Sequence, residues 1–244
     1  MIEISNISKS FPGSFRRIID TTDLLLEHGD FCVLIGANGC GKSTLLKLIS
    51  GEYQADTGTI KREGEVAQVV QDVNLGTVPE MTLLENIVLS EMKSPQLLFY
   101  KRYKAQVIQN LKELGIGLEE CIDQPLKMLS GGQRQMIATL MAVNSGKKIL
   151  LLDEHTSALD PKMQHLLMEY TVRQIMQHSI TTIMITHKMD DAIKYGDRLI
   201  MLHQGKIVLD LDKEQKSRLK VQDLLAMFHQ YEDQFLVSGG ENDN

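Results

Sequence analysis

The run Gly36-Ala37-Asn38-Gly39-Cys40-Gly41-Lys42-Ser43 fits the pattern of a glycine, any four residues, then glycine, lysine and serine or threonine, at every fixed position. It constrains the fold because it works only where a buried strand feeds a tight loop and the loop opens a helix. The flanks comply. Residues 30–35 form an almost continuous apolar run of strand length, and residues 44–49 carry a helical pattern. Glycines let backbone amides curl around phosphate oxygens, while the helix that follows presents its positive end. In such a loop Gly36, Asn38, Gly39, Cys40, Gly41 and Thr44 surround the phosphates, Lys42 reaches the terminal ones and Ser43 ligates magnesium. The thiol of Cys40 reads as a tolerated small residue rather than a redox switch.

Two more apolar runs share this form. Residues 148–152 end on Asp153 and Glu154, and residues 181–186 end at His187. Three buried strands, each followed by polar residues and a helical pattern, predict an α/β fold with a mostly parallel core sheet and helices on both faces. Ligand chemistry gathers at the carboxyl ends of such strands. Asp153 supplies the acid that orients magnesium beside a phosphate loop, and Glu154 is placed to polarise the attacking water as general base. Two acids ending a strand can be merely structural, and the phosphate loop is what gives this pair its chemistry.

Residues 1–26 alternate polar and apolar side chains around Pro12 and Gly13, as antiparallel strands do. Residues 81–129 are helical, with Val107, Ile108, Leu111 and Leu114 on one face and Gly115 and Gly117 as the stop. Residues 199–211 read as a hairpin turning at Gln204 and Gly205. A net charge of −6 argues against a protein that neutralises a nucleic-acid backbone. No run approaches the roughly 20 apolar residues of a membrane span, and the start lacks a basic region followed by an apolar one. The chain is therefore expected in the cytosol. Cys32, Cys40 and Cys121 have no metal or disulfide spacing. The thirteen methionines, among them Met136, Met141, Met184 and Met201, suit core filling better than a binding surface.

Leu129-Ser130-Gly131-Gly132-Gln133-Arg134-Gln135 resembles the signature sequence of ATP-binding cassette (ABC) ATPases. Serine and two glycines at a helix start offer a hydroxyl and approachable amides, a second anion-binding nest. The resemblance runs from about residue 2 to 211. It implies the ABC ATPase fold of the P-loop NTPases, with an N-terminal antiparallel β region and a helical subdomain. The ATPase domain would span residues 1–212, its helical subdomain about 81–135, and residues 213–244 would be a short C-terminal helical extension with a polar tail.

The same resemblance assigns roles. Ser130, Gly131 and Gly132 would close on the γ-phosphate of ATP held by another cassette. Phe11 would stack on adenine, and Gln71 would sense magnesium and water. Ser157-Ala158-Leu159-Asp160 would carry signals between cassettes, and His187 would contact the γ-phosphate. ATP and Mg2+ are the implied ligands. A homodimer or paired cassette, integral membrane permease subunits and, for an importer, a solute-binding protein are the implied partners, with no nucleic acid among them. The expected location is peripheral, on the cytoplasmic face of the inner membrane.

Three departures stand out: His155 occupies a position where most relatives carry proline, which should loosen the backbone; residues 136–140 lack a common arginine; and the tail is too short for a regulatory domain. Residues 152–162 and 195–201 resemble a bacterial importer group for small organic solutes, sometimes amino acids. An exporter ATPase remains an alternative, as does a soluble ABC ATPase, although the chain has neither a long coiled-coil insert nor a second cassette. The basic aromatic stretch 100–104 suits a solvated helix face better than a lipid or coupling-helix contact.

Overall fold

The computed structural model describes residues 1–13, 16–70, 76–91 and 103–238, which fall into two compact units, Met1–Arg62 with Ile183–Asn244, and Glu63–Thr182. In the first unit β1 (Ile2–Lys9), β2 (Ile19–Leu26) and β4 (Thr57–Arg62) form an antiparallel sheet in the order β2-β1-β4. Simple alternation along β1 would turn Ile7 away from the face that buries Ile2 and Ile4. A register shift between Ile4 and Ile7, with Asn6 in the left-handed region at φ 53°, returns it to the buried side. The Asn6 amide is held there by Asp23 Oδ1 at 2.7 Å. Strand β4 carries no apolar face, only Ile60 being half-buried, so no periodicity announces it.

β3 (Phe31–Ile35) is buried at all five positions and runs parallel to β8 (Arg198–His203), with Cys32 opposite Arg198 and Ile35 opposite Met201. β9 (Lys206–Leu211) returns antiparallel along β8. The two residues between them, Gln204 at φ 45° and Gly205 at φ 78°, have the positive φ values that a tight hairpin turn requires. The Gly205 carbonyl accepts from Asp20 N at 2.9 Å and Thr22 Oγ1 at 2.8 Å, fastening the turn to β2. α1 (Lys42–Ser50) buries Leu45, Leu46, Leu48 and Ile49.

In the second unit β5 (Val66–Val69) lies parallel to β6 (Ile149–Asp153), which is buried throughout. The core strands thus pair mostly in parallel, as the sequence predicts. α2 (Leu83–Glu91), α3 (Lys104–Leu114), α4 (Gly131–Asn144) and α5 (Pro161–His178) enclose an apolar cluster that includes Leu83, Ile87, Leu111, Ile137 and Leu140. Gly115 ends α3 in the left-handed conformation. The fully buried Asn86 carboxamide serves the loop before α2, accepting from Val78 N and donating to the carbonyls of Val78, Met81 and Thr82. Met136, Met141, Met184 and Met201 are all buried, as gap-fillers are. Tyr100, Lys101 and Arg102 lie outside the described residues; Tyr103 is exposed and Lys104 pairs with Asp123 at 2.5 Å.

β7 (Thr181–Ile185) begins in the second unit and ends in the first, where α6 (Met189–Lys194) follows. After β9 come α7 (Lys213–Ser217) and α8 (Val221–Ser238). The Lys216 ammonium, in α7, donates to the carbonyls of Tyr195 and Gly196, just past α6. Burial pulls its pKa down to about 8 from the usual 10.5. Between those values the unfolded chain holds a proton that the folded one has released, so this lysine makes stability rise with pH across that window. The slope approaches about 1.4 kcal/mol per pH unit. Urea unfolding at pH 8 and pH 10 is expected to show that gain for the wild type relative to Lys216→Met, and equal pH responses of the two proteins would refute it.

Candidate active site

In the first unit the phosphate loop is shaped by contacts that exclude side chains. A Cβ on Gly36 (φ 153°) would lie 2.2 Å from the Leu202 carbonyl oxygen, and one on Gly41 (φ 111°) 2.6 Å from that of Ile18. Gly41 is the N-cap of α1 and brings no side chain to the helix end, so the first amides face the loop. Lys42 is 6% exposed and folds across the loop, its Nζ donating to the Gly36 carbonyl at 2.8 Å and the Ala37 carbonyl at 2.9 Å. A cation is thereby centred in a ring of backbone. Ser43 is exposed and Thr44 half-buried on the first turn, and Asn38 and Gly39 are exposed at the loop's tip. Burial pushes the Cys40 thiol up, against the opposing pull of Lys42. A thiol held protonated in this way is a poor nucleophile.

His187 follows β7 and is exposed. The Thr186 amide donates to the Leu34 carbonyl at 3.4 Å, which sets His187 at the end of β3 where the phosphate loop begins. The structure therefore brings Lys42, Ser43 and His187 to one strand end. Phe11, half-buried two residues past β1, meets the Tyr53 ring edge-on at 5.3 Å.

In the second unit, Asp153 closes β6 at 8% exposure and Glu154 follows at φ 50°. A left-handed glutamate is uncommon, and such strain gathers at functional sites. The Glu154 carbonyl accepts from Ser157 N at 3.0 Å, starting a turn that delivers Asp160 as N-cap of α5, its Oδ1 accepting from Lys162 N and Met163 N. His155 is 2% exposed, and burial drives its pKa down to about 4. A neutral imidazole is thus buried where proline was expected, with no hydrogen-bond partner for its Nε2 among the described residues.

Ser130 caps α4 with a reciprocal box. Its Oγ accepts from Gln133 N at 3.2 Å and its amide donates to Gln133 Oε1 at 2.9 Å. A Cβ on Gly131 would meet nothing, while one on Gly132 would come within 3.2 Å of Leu159 Cδ2. The nest is open at Gly131, and Gly132 rests on the turn that follows Glu154.

The sequence model of the ABC transporter family matches residues 19–157. The chain is also 40% identical over 247 aligned positions to the tyrosine transport ATP-binding protein of Clostridioides difficile (strain R20291), covering 93% of this chain and 98% of that one. The chain belongs to the ABC transporter family. It is an ATP-binding, ATP-hydrolysing cassette. It is 35% identical over 221 positions to the spermidine/putrescine import ATP-binding protein PotA of Haemophilus influenzae, where it spans 86% of its own length and 57% of the relative's. Among solved structures, a nucleotide-free ATP-binding cassette from an ABC transporter aligns with TM-score 0.71 and 25% identity over 93% of this chain and 95% of that one. The dimeric, post-hydrolysis cassette MJ0796 bound to ADP and Pi shares the fold, with TM-score 0.75 and 23% identity over 87% of this chain and 99% of that one.

The cassette's residues fit the ligands its family implies. Glycines that a Cβ would obstruct and the uncapped α1 suit a polyphosphate. The Ser43 hydroxyl in the first unit and the Asp153 carboxylate in the second are each hard oxygen donors of the kind magnesium takes. Gln71, the third expected ligand, lies outside the described residues. Sequence reasoning missed the wall beside the loop. A cavity of about 660 Å³ is lined by Arg16, Arg17, Ile18, loop residues 37–40 and the hairpin turn at His203 and Gln204. Arg17 is held by Asp20 at 3.1 Å, and Asp20 also takes Lys206 at 3.2 Å. The available signal was two adjacent arginines directly before the buried start of β2, in an otherwise acidic chain.

Proposed function

We propose that this cassette energises an importer of a small organic solute, with an amino acid as the best-supported cargo. The observation that carries the reading is the 40% identity, across nearly the full length of both chains, to a tyrosine transport ATP-binding protein. The import protein PotA as another relative points the same way. Two copies, or this chain and a paired cassette, would work with integral membrane permease subunits and a solute-binding protein. Among the described residues no helix is long and apolar enough to cross a membrane. In this reading the permease supplies the path and the chain works peripherally at the cytoplasmic face of the inner membrane.

In the proposed reaction Phe11 stacks on adenine, the loop amides and Lys42 hold the phosphates, and Ser43, Asp153 and Gln71 hold Mg2+. The ion neutralises charge that builds on the phosphate oxygens. Glu154 draws the proton from the attacking water, and His187 steadies the γ-phosphate. Ser130, Gly131 and Gly132 of one cassette close on ATP held by the other. Uptake of labelled tyrosine and other amino acids by cells lacking this chain tests the reading. The loss is expected to be restored by the wild-type gene and not by Lys42→Ala, which removes the cation from the loop. Unchanged amino-acid uptake in the deletion strain would refute an amino-acid cargo.

A further inference from the structure

Phe11 does not set its own orientation. Its ring meets that of Tyr53 at a centroid distance of 5.3 Å and an interplanar angle of 72°, the edge-to-face geometry that aromatic pairs favour. Tyr53 is fixed in turn by α1: its amide donates to the Lys47 carbonyl at 3.1 Å beside the helix-ending Gly51, and the Lys47 ammonium lies 5.2 Å from its ring centroid. Three residues on, Asp56 pins the strand that delivers Phe11. Its Oδ1 accepts from Lys9 Nζ at 2.9 Å, its Oδ2 from Ser10 N at 2.7 Å, and its amide donates to the Ser8 carbonyl at 2.8 Å. The helix that opens at the phosphate loop therefore ends in a segment that fixes both the backbone before Phe11 and the plane of its ring.

We infer that Tyr53 is a positioning residue for the nucleotide base, acting through Phe11. A stacked base gains contact only over a ring held in one plane, and a ring that rocks forfeits part of that contact before binding begins. Nothing in the motifs marks Tyr53, because its role depends on where the chain goes after α1 and not on any local pattern. The inference rests on the reading of Phe11 as the stacking residue.

The test measures affinities of the full chain for Mg-ATP and for Mg-tripolyphosphate, which has no base. Tyr53→Leu is expected to weaken ATP binding about threefold to tenfold, the worth of one aromatic pair, and to leave tripolyphosphate affinity unchanged. Tyr53→Phe should bind both as the wild type does. Combined with Phe11→Ala, Tyr53→Leu should add nothing to the loss from Phe11→Ala alone. Equal loss for ATP and tripolyphosphate would mean that Tyr53 merely supports the loop, and additive losses would mean that it acts apart from Phe11; either overturns the inference. If Phe11→Ala weakens ATP binding and Tyr53→Leu does not, the inference alone fails. If Phe11→Ala leaves ATP affinity intact, the stacking reading fails with it. Should Tyr53→Leu not fold, Tyr53→Met, which keeps a long apolar side chain but no ring, must give the same split between ATP and tripolyphosphate or overturn the inference.

Discussion

Glu154→Gln is expected to bind Mg-ATP with near wild-type affinity and to lose between about 10² and 10⁴ in turnover, the usual contribution of a positioned general base. That range corresponds to about 3–5 kcal/mol of barrier. Glutamine has the length and shape of glutamate, so the turn through the left-handed residue 154 and the cap at Asp160 should persist. The amide cannot take the water's proton. The groups proposed to hold phosphate, Lys42 and the loop amides, are untouched, so ATP stays bound and a paired cassette accumulates. Gel filtration with Mg-ATP should show a dimer for this variant. Turnover within about tenfold of wild type would remove Glu154 from the role of base, and loss of ATP affinity would show that the substitution damaged the fold.

The parts of the fold that were legible in the sequence are those where local pattern and burial coincide. β3, β6 and β7 are buried at every position, so β3 and residues 149–152 of β6 appear as apolar runs and β7 as a short run rich in β-branched residues, each leading into a candidate site residue. The hairpin at Gln204 and Gly205 was readable because two-residue turns demand positive φ and glycine supplies it. β4 was not readable, since its six residues have no buried face and are held by pairing with β1. The bulge at Asn6 was hidden for a related reason. Its stabilising partners, Asp23 and the strands on either side of β1, are long-range contacts that a local window does not contain.

The candidate site divides along the same line. Lys42, Ser43, Asp153 and Ser130 occupy positions that local geometry dictates, at helix starts and strand ends, and sequence motifs record such geometry well. Side chains that act on those residues from a distance leave no motif. His155 was noted in the sequence only as a replacement for a rigid residue, and that its imidazole is buried and neutral follows from packing that no local pattern records. Arg16 and Arg17 line the cavity beside the loop, and Tyr53 meets Phe11, through the fold of the first unit, and only the structure reveals these neighbours.

Ser130→Arg should block hydrolysis by more than about 10²-fold, the loss seen when one preorganised donor to a developing oxyanion is removed, while nucleotide affinity of the isolated chain stays close to wild type. The substitution acts at the start of α4. It removes the hydroxyl that caps Gln133 N, at a cost of about 1 kcal/mol, and it sets a guanidinium against the positive end of the helix. The groups proposed to hold phosphate in the isolated chain, Lys42 and the loop of the first unit, are not touched by the change. If the nest serves ATP held by a second cassette, the defect can be complemented. A Ser130→Arg chain retains Lys42, and a Lys42→Ala chain retains the nest, so a mixed dimer contains one composite site with both halves intact. Each variant alone should be inactive, and mixing them should restore hydrolysis. A mixture shown by cross-linking to contain mixed dimers, yet still inactive, would place Ser130 in the service of its own chain's nucleotide.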